Sequence, residues 1–377
     1  MSSHLAHGLG TDPVEPDWAP LTDDEVTDVV GAGARVVWRS PRPLSAAAVV
    51  ERDGRRLFVK RHHVGVRSPE GLAEEHAFLR HLREHGAPVV EVLDAAGRGP
   101  WTYEVHSAGA GEDLYRDALS WSPFRSATHA TAAGAALARL HLAARGFDAP
   151  RRRVQPLVAS FTVFAARDPW EALERYLDER PQLASGIRRF PWREDTRRAL
   201  LPLHERLAPH LSGLEPLWTH NDWHASNLLW GGDGQVRTVL DFGMSDRTTA
   251  VHDLATAIER NTVQWLRPGY PVREADVTAL VEGYQSVRPL TSAESAALPE
   301  LLPLVHAEFA LSELGYFHGV TRSAENTRLA YEYYVGHAEW FAGDAGRRLL
   351  DVVACAAGAE RRGSTASTLR WTRAPSP

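Results

Sequence analysis

The chain has little sulfur, with one cysteine and two methionines among 377 residues. The lone Cys355 excludes any disulfide within the chain and fits a reducing compartment. As a small apolar residue near a helix end it is expected to be buried. No stretch approaches the ~18 uninterrupted apolar residues of a membrane-spanning helix, and the opening MSSHLAHGLG has no basic segment followed by an apolar one. A cytoplasmic protein without membrane contact is therefore expected. Charge of one sign is not in large excess either: the net charge of −6 arises from 42 basic and 48 acidic residues scattered among one another, which argues against a dedicated nucleic-acid binder. Repeats at solenoid periods are absent. What remains is an ordinary globular composition, 44% hydrophobic and 24% charged, in a chain long enough for two lobes and a sizeable core.

The most informative stretch is Trp218 to Leu254, WTHNDWHASNLLWGGDGQVRTVLDFGMSDRTTAVHDL. Two apolar runs, Asn227 to Trp230 and Val236 to Leu240, flank Gly231-Gly232-Asp233-Gly234, the pattern of a tight hairpin. Its outer ends carry His220, Asp222, His224 and Asn227 on one side and Asp241 on the other. A hairpin brings these ends together, and the convergence of Asp222, Asn227 and Asp241 supplies hard oxygen ligands that suit magnesium and a polyphosphate better than zinc. His220-x-Asp222-x-His224 also fits a metallohydrolase cluster, but no second group of His or Cys follows at ligand spacing. Packing alone, with His220 in the core and Asp241 closing a turn, does not readily place five such residues in this order.

The run His220-x-Asp222-x-x-x-x-Asn227, followed by Asp241-Phe242-Gly243, resembles the catalytic and metal loops of kinase-fold enzymes, specifically the aminoglycoside phosphotransferase and choline kinase group. The loop is usually close to HGDLHPGN; here it reads HNDWHASN, with Asn221 where glycine is common. The resemblance implies an α+β, two-lobed protein-kinase-like fold, with a small antiparallel-sheet N-lobe and a mainly helical C-lobe. It also implies ATP and Mg2+ as cofactors. Asp222 would accept or orient the proton of an acceptor hydroxyl, while Asn227 and Asp241 hold the metal that bridges the ATP phosphates.

Residues 1–20 are expected to form a loose arm, 21–106 the nucleotide-binding N-lobe, 107–357 the catalytic and acceptor-binding C-lobe, and 358–377 a disordered tail. Thr22-Asp23-Asp24-Glu25 has capping-box spacing and opens a helix through Val30. Strands are expected at 35–38, 46–51 and 56–60, with Asp53-Gly54 turning the last pair. The loop Ser40 to Ser45, where the fold covers the phosphates, contains no glycine, so Ser45 or Arg42 would contribute in place of a backbone cradle.

Lys60 ends an apolar strand, as does the phosphate-binding lysine of the family. In the helix that Ser68-Pro69 begins, Glu75 falls at the centre of the apolar face of Leu72, Phe78, Leu79 and Leu82, and a carboxylate there needs a partner. Lys60 is the expected one. Strands at 89–93 and 101–105 lead to the small-residue stretch Ser107 to Gly111, a lobe hinge in which backbone near Glu104 and His106 would meet adenine. Helices follow at 126–145, with His141 as a core histidine, and at 170–183 and 195–211, where the resemblance implies an insertion that helps build the acceptor pocket.

Past Asp241, only twelve residues run to Asp253, too few for the activation segment and peptide platform of protein kinases, which favours a small-molecule acceptor. By resemblance Asp253 bonds the catalytic loop from a helix start. Helices at 301–317 and 324–341 carry Glu308, Glu313, Tyr316, Phe317, Tyr331, Tyr333, Tyr334 and Trp340, either as walls of an acceptor pocket or as an ordinary core face. The expected function is ATP-dependent phosphorylation of a hydroxyl on a small molecule such as an aminoglycoside-like antibiotic. Homoserine- or choline-type acceptors, and a catalytically silent nucleotide-binding regulator, stay open, because fold and motif do not separate them.

Overall fold

The computed structural model describes residues 16–42, 44–118 and 121–359. The expectations for 1–15, for Pro43 in the phosphate loop and for 360–377 lie outside the described residues.

The N-lobe is built on five antiparallel strands: β1 (Arg35–Arg39), β2 (Ala46–Arg52), β3 (Arg55–His63), β4 (Val92–Arg98) and β5 (Trp101–Ser107), in the order β1-β2-β3-β5-β4. Asp53 and Gly54 both have positive φ, 51° and 73°, as a two-residue turn twisted to match its strands requires. Helix α1 (Asp23–Val30) has both halves of the capping box between Thr22 and Glu25. Helix α2 (Pro69–Glu84), capped by Ser68 with Pro69 in its first turn, crosses between β3 and β4. Leu21, Val26, Val50, Val59 and Val105 form the small core between α1 and the sheet.

Two expectations for this lobe change. Residues 16–20 are not a loose arm: the Trp18 ring stacks on His63 at 5.0 Å, and Asp17 Oδ2 accepts the Tyr316 hydroxyl at 2.8 Å. They strap the sheet to the C-lobe. The strand expected at 89–93 begins only at Val92, because the preceding residues pair elsewhere. Val239 N donates to the Pro88 carbonyl at 2.7 Å, so this segment joins the sheet to the hairpin of the other lobe.

The C-lobe contains α3 (Ala127–Ala143), α4 (Pro169–Asp178), α5 (Pro181–Ile187), α6 (Trp192–Asp195), α7 (Leu201–Leu207), α8 (Ala250–Thr262), α9 (Glu274–Gln285), α10 (Ser292–Leu301), α11 (Val305–Tyr316), α12 (Ala324–Ala342) and α13 (Asp344–Ala356). Two short ladders complete it: β6 (Pro216–Thr219) with β9 (Asp246–Thr249), and β7 (Leu228–Trp230) with β8 (Val236–Val239). The helix expected over 170–183 divides at Arg180-Pro181, since a residue before proline is pushed out of the helical region, and Pro181 starts α5. The helix expected over 195–211 is likewise broken into α6, a wide turn, α7 and a tight turn. Cys355 is exposed, because α13 buries the opposite face through Leu349 and Val353.

Helices α3 and α9 pack with their backbones nearly touching. A Cβ on Gly134 would stand 2.0 Å from the Leu280 carbonyl oxygen, and one on Gly283 2.2 Å from that of Thr131. Neither helix can yield without moving the C-lobe core. Gly134→Ala is expected to cost about 2–3 kcal/mol, read as a lower midpoint in denaturant unfolding; an unchanged midpoint would show that the helices separate easily.

Candidate active site

Each loop of the site is pinned by a buried polar group. Asp253, in the first turns of α8, is 0% exposed. Its Oδ1 accepts Asn221 N at 2.8 Å, and its Oδ2 accepts His220 N at 2.8 Å and His141 Nε2 at 3.1 Å. His141 is thus the core histidine expected, and it donates to the carboxylate that anchors the loop of residues 220–227. Burial raises the Asp253 carboxyl, but the His141 hydrogen bond and charge outweigh it and hold the group below its ordinary value. The stability it supplies is therefore full above about pH 4 and is lost as pH falls through the depressed value. Asp253→Ala leaves two buried amides without acceptors, a cost of about 3 kcal/mol or more, and a melting temperature equal to that of the parent would contradict this anchoring role.

Asn221 has φ of 60°, a left-handed conformation that explains why glycine is common there and why asparagine is tolerated. Its Oδ1 accepts Thr219 and Thr248 hydroxyls at 2.9 and 3.1 Å. His220 Nδ1 accepts Asp222 N at 3.1 Å while its Nε2 donates to the Leu240 carbonyl at 2.8 Å. One neutral imidazole therefore ties the loop of residues 220–227 to the residue before Asp241, and burial keeps its pKa low.

The hairpin brings the expected groups to one place. Asp222, Asn227, Asp241, Lys60 and Ser45 line one cavity of about 150 Å³, together with Arg42, His224, Arg260 and Glu313. Lys60, Ser45, Asn227 and Asp241 also line a second cavity of about 260 Å³, walled by Val49, Phe58, Glu104, His106 and the hinge Ser107 to Gly109. The two cavities meet at these four residues and at Arg42. Asn227 Nδ2 donates to Asp222 Oδ2 at 3.0 Å and to its carbonyl at 2.9 Å. Lys60 Nζ donates to Asp241 Oδ1 at 2.9 Å, and Asp241, with φ of 53°, is 40% exposed along its side chain. Enclosure pushes the Asp241 carboxyl upward, but the Lys60 ammonium outweighs this and holds it well below the carboxylate range.

The cationic partner expected for Glu75 is different. Glu75 is buried in the apolar face of α2, yet its ion pair is with Arg152, at 3.4 Å, and Lys60 pairs with Asp241. Arg152 and Arg67 together donate to the Gly243 carbonyl at 2.9 and 2.8 Å, so these two arginines hold α2 against the loop of Asp241 to Gly243. Sequence reading missed both, because Arg152 lies in a stretch without periodicity and Arg67 precedes a helix cap. Glu104 and His106 sit on β5, an interior strand whose backbone pairs with β3 and β4. What they present to the cleft is side chain: Glu104 accepts His62, His76 and His106 Nε2 at 2.8, 2.9 and 3.0 Å. The hinge beyond them is fastened to the C-lobe hairpin, with Ala110 N donating to Thr238 Oγ1 at 2.9 Å.

Of the acids and aromatics of the C-terminal helices, Glu313 reaches the smaller cavity. Glu308 instead accepts the backbone amides of Thr162, Val163 and Phe164 at 2.8–3.1 Å, and Tyr316, Tyr331 and Tyr334 bond Asp17, Asp195 and Thr196. These are core partners. His224 is held neutral, since burial and then the Arg42 charge push its pKa down to about 3. The model of the "Phosphotransferase enzyme family" matches residues 44–290, a span that runs from the phosphate loop past α9.

The chain belongs to the phosphotransferase enzyme family. Among its relatives within and beyond that span, a homoserine kinase of Phenylobacterium zucineum is 29% identical over 319 residues, 81% of this chain and 89% of that protein. A homoserine kinase of Gluconobacter oxydans is 31% identical over 182 residues, and there the chain spans about half the relative's length, 51%. A solved ethanolamine kinase of Plasmodium vivax shares the fold with a TM-score of 0.53 at 11% identity, covering 84% of each chain. The kinase-like, two-lobed architecture of this phosphotransferase is thereby shown.

Proposed function

We propose that the protein transfers the γ-phosphoryl group of ATP, with Mg2+, to a hydroxyl of a metabolite-sized acceptor. The observation that carries this reading is the meeting of two cavities at Lys60, Asn227 and Asp241, one lined by the lobe hinge and the other by Asp222. Nucleotide occupies the hinge side, and the acceptor occupies the Asp222 side. The acceptor oxygen attacks the γ-phosphorus, the bond from that phosphorus to the β–γ bridging oxygen breaks, ADP leaves, and Asp222 takes the hydroxyl proton.

The donor set fits magnesium. Asp241 offers a carboxylate to the cleft, and the Asn227 amide, whose NH2 end is spent on Asp222, offers its oxygen. Bound there, the ion would neutralise charge on the transferring phosphates. Lys60, whose ammonium is kept charged by Asp241, Glu104 and Glu75 against burial, supports the nucleotide phosphates with Ser45 and Arg42 in place of glycine-loop amides. A compact acceptor fills the 150 Å³ cavity, whereas a multi-ring aminoglycoside would extend well outside it. The homoserine kinase relatives favour the same side of that choice. ADP formation measured with L-homoserine, choline, ethanolamine and kanamycin tests the reading: small acceptors should support Mg2+-dependent turnover, and turnover with kanamycin alone would reverse the choice of acceptor.

A further inference from the structure

Arg260 was assigned no role by sequence, and it stands at the reacting centre. It extends from the last turns of α8 with its side chain 4% exposed and forms an ion pair with Asp222 Oδ1. Its guanidinium lies 5.0 Å from the Trp121 ring centroid and 4.9 Å from that of Phe309. Aromatic faces hold the plane without consuming its N–H groups. Its Nη2 also donates to the Met244 sulfur at 3.8 Å, a weak acceptor. Arg260, Trp121, Phe309 and Glu313 all line the cavity that contains Asp222.

Both Asp222 oxygens are thus held by donors, Oδ1 by Arg260 and Oδ2 by Asn227. A carboxylate so engaged is a weaker proton acceptor than one that is released. The site also pairs a fixed guanidinium fork with a small cavity, and a planar fork suits a carboxylate bidentately. Resting on the kinase reading above, we infer that Arg260 is the receptor for a carboxylate on the acceptor, so that the substrates are small hydroxy acids or hydroxy amino acids. Docking of that carboxylate draws the guanidinium from Asp222 and frees the base for the hydroxyl next to it. Acceptor binding and base release become one event, which restrains ATP hydrolysis when no acceptor is present. Glu313 fits this arrangement: burial raises its carboxyl to about 8, with Arg260 opposing, so it adds little negative charge against an incoming anion.

The test uses matched pairs of hydroxy acids and their carboxamides, L-homoserine and D-glycerate among the acids, with the full-length protein and its Arg260→Gln and Arg260→Lys variants. The parent should prefer acid to amide by about 30-fold or more in kcat/KM, the size expected for one buried charge pair. Arg260→Gln should bring that ratio close to one, chiefly through KM for the acid, and Arg260→Lys should restore part of it. A purely structural role for Arg260 would depress both members of each pair alike and leave the ratio unchanged, which would overturn the inference. Phosphorylation confined to acceptors without a carboxylate would overturn it too, while leaving the kinase reading intact. No Mg2+-dependent transfer to any acceptor, charged or neutral, would overturn both.

Discussion

Asp222→Asn is expected to lower kcat by about 10³-fold, within the range for loss of a positioned general base, while ATP binding changes by less than about twofold. The two effects separate because of where the residue sits. Asp222 lines the smaller cavity and not the hinge-side one, so in the proposed arrangement it faces the acceptor rather than the nucleotide. The asparagine keeps the shape and can still meet Asn227, but it cannot take a proton. It also removes the counter-charge of Arg260, a buried cation, so some loss of stability accompanies the loss of rate. Nucleotide affinity, measured by fluorescence with a labelled ATP analogue, distinguishes a dead but folded enzyme from a misfolded one. A variant that turns over at the parent's rate would remove Asp222 from the chemistry.

Asp241→Ala should be at least as severe, for a different reason. Asp241 is shared by both cavities and is the direct partner of Lys60 at 2.9 Å. Its removal takes away the one exposed carboxylate of the proposed magnesium site and the charge that keeps Lys60 fixed. Loss of activity by about 10³-fold or more is expected, with ATP affinity becoming insensitive to Mg2+. In the parent, added Mg2+ should tighten nucleotide binding. If the variant retained that dependence, the metal would be held elsewhere.

How much of this was legible in the sequence depends on how local each signal is. The capping box of α1, the Asp53-Gly54 turn and the hairpin between Asn227 and Asp241 are set by residues a few positions apart, and they stand where they were expected. Glu75 was legible as a buried carboxylate from helical periodicity, but its partner was not. Arg152 is 77 positions away, and nothing local marks it. The aromatic and acidic C-terminal helices left two readings open, acceptor pocket or core face, for a related reason: periodicity finds a buried face but does not say what it faces.

Arg260 shows a third case. Every residue of α8 is buried, so the helix has no polar side against which an arginine would stand out. A usable signal was present nonetheless. Asp253 and Arg260 are seven positions apart, two turns of one helix, so an anchor for the catalytic loop places the arginine on the same side. Trp18 and Asp17 escaped notice because a proline-bearing polar segment usually reads as loose, and the stack on His63 is a long-range contact.

The central claim is that Lys60, Asn227 and Asp241 hold one end of a nucleotide while Asp222 serves an acceptor hydroxyl across the junction of two cavities. The most direct measurement follows ATP labelled in its γ-phosphate, with parent and Asp222→Asn, with and without Mg2+, across the small hydroxyl compounds named above. Label should appear in a stable phosphate ester of one such compound, only with Mg2+ and only with the parent. Label released solely as inorganic phosphate, or transferred equally by the variant, would contradict the account.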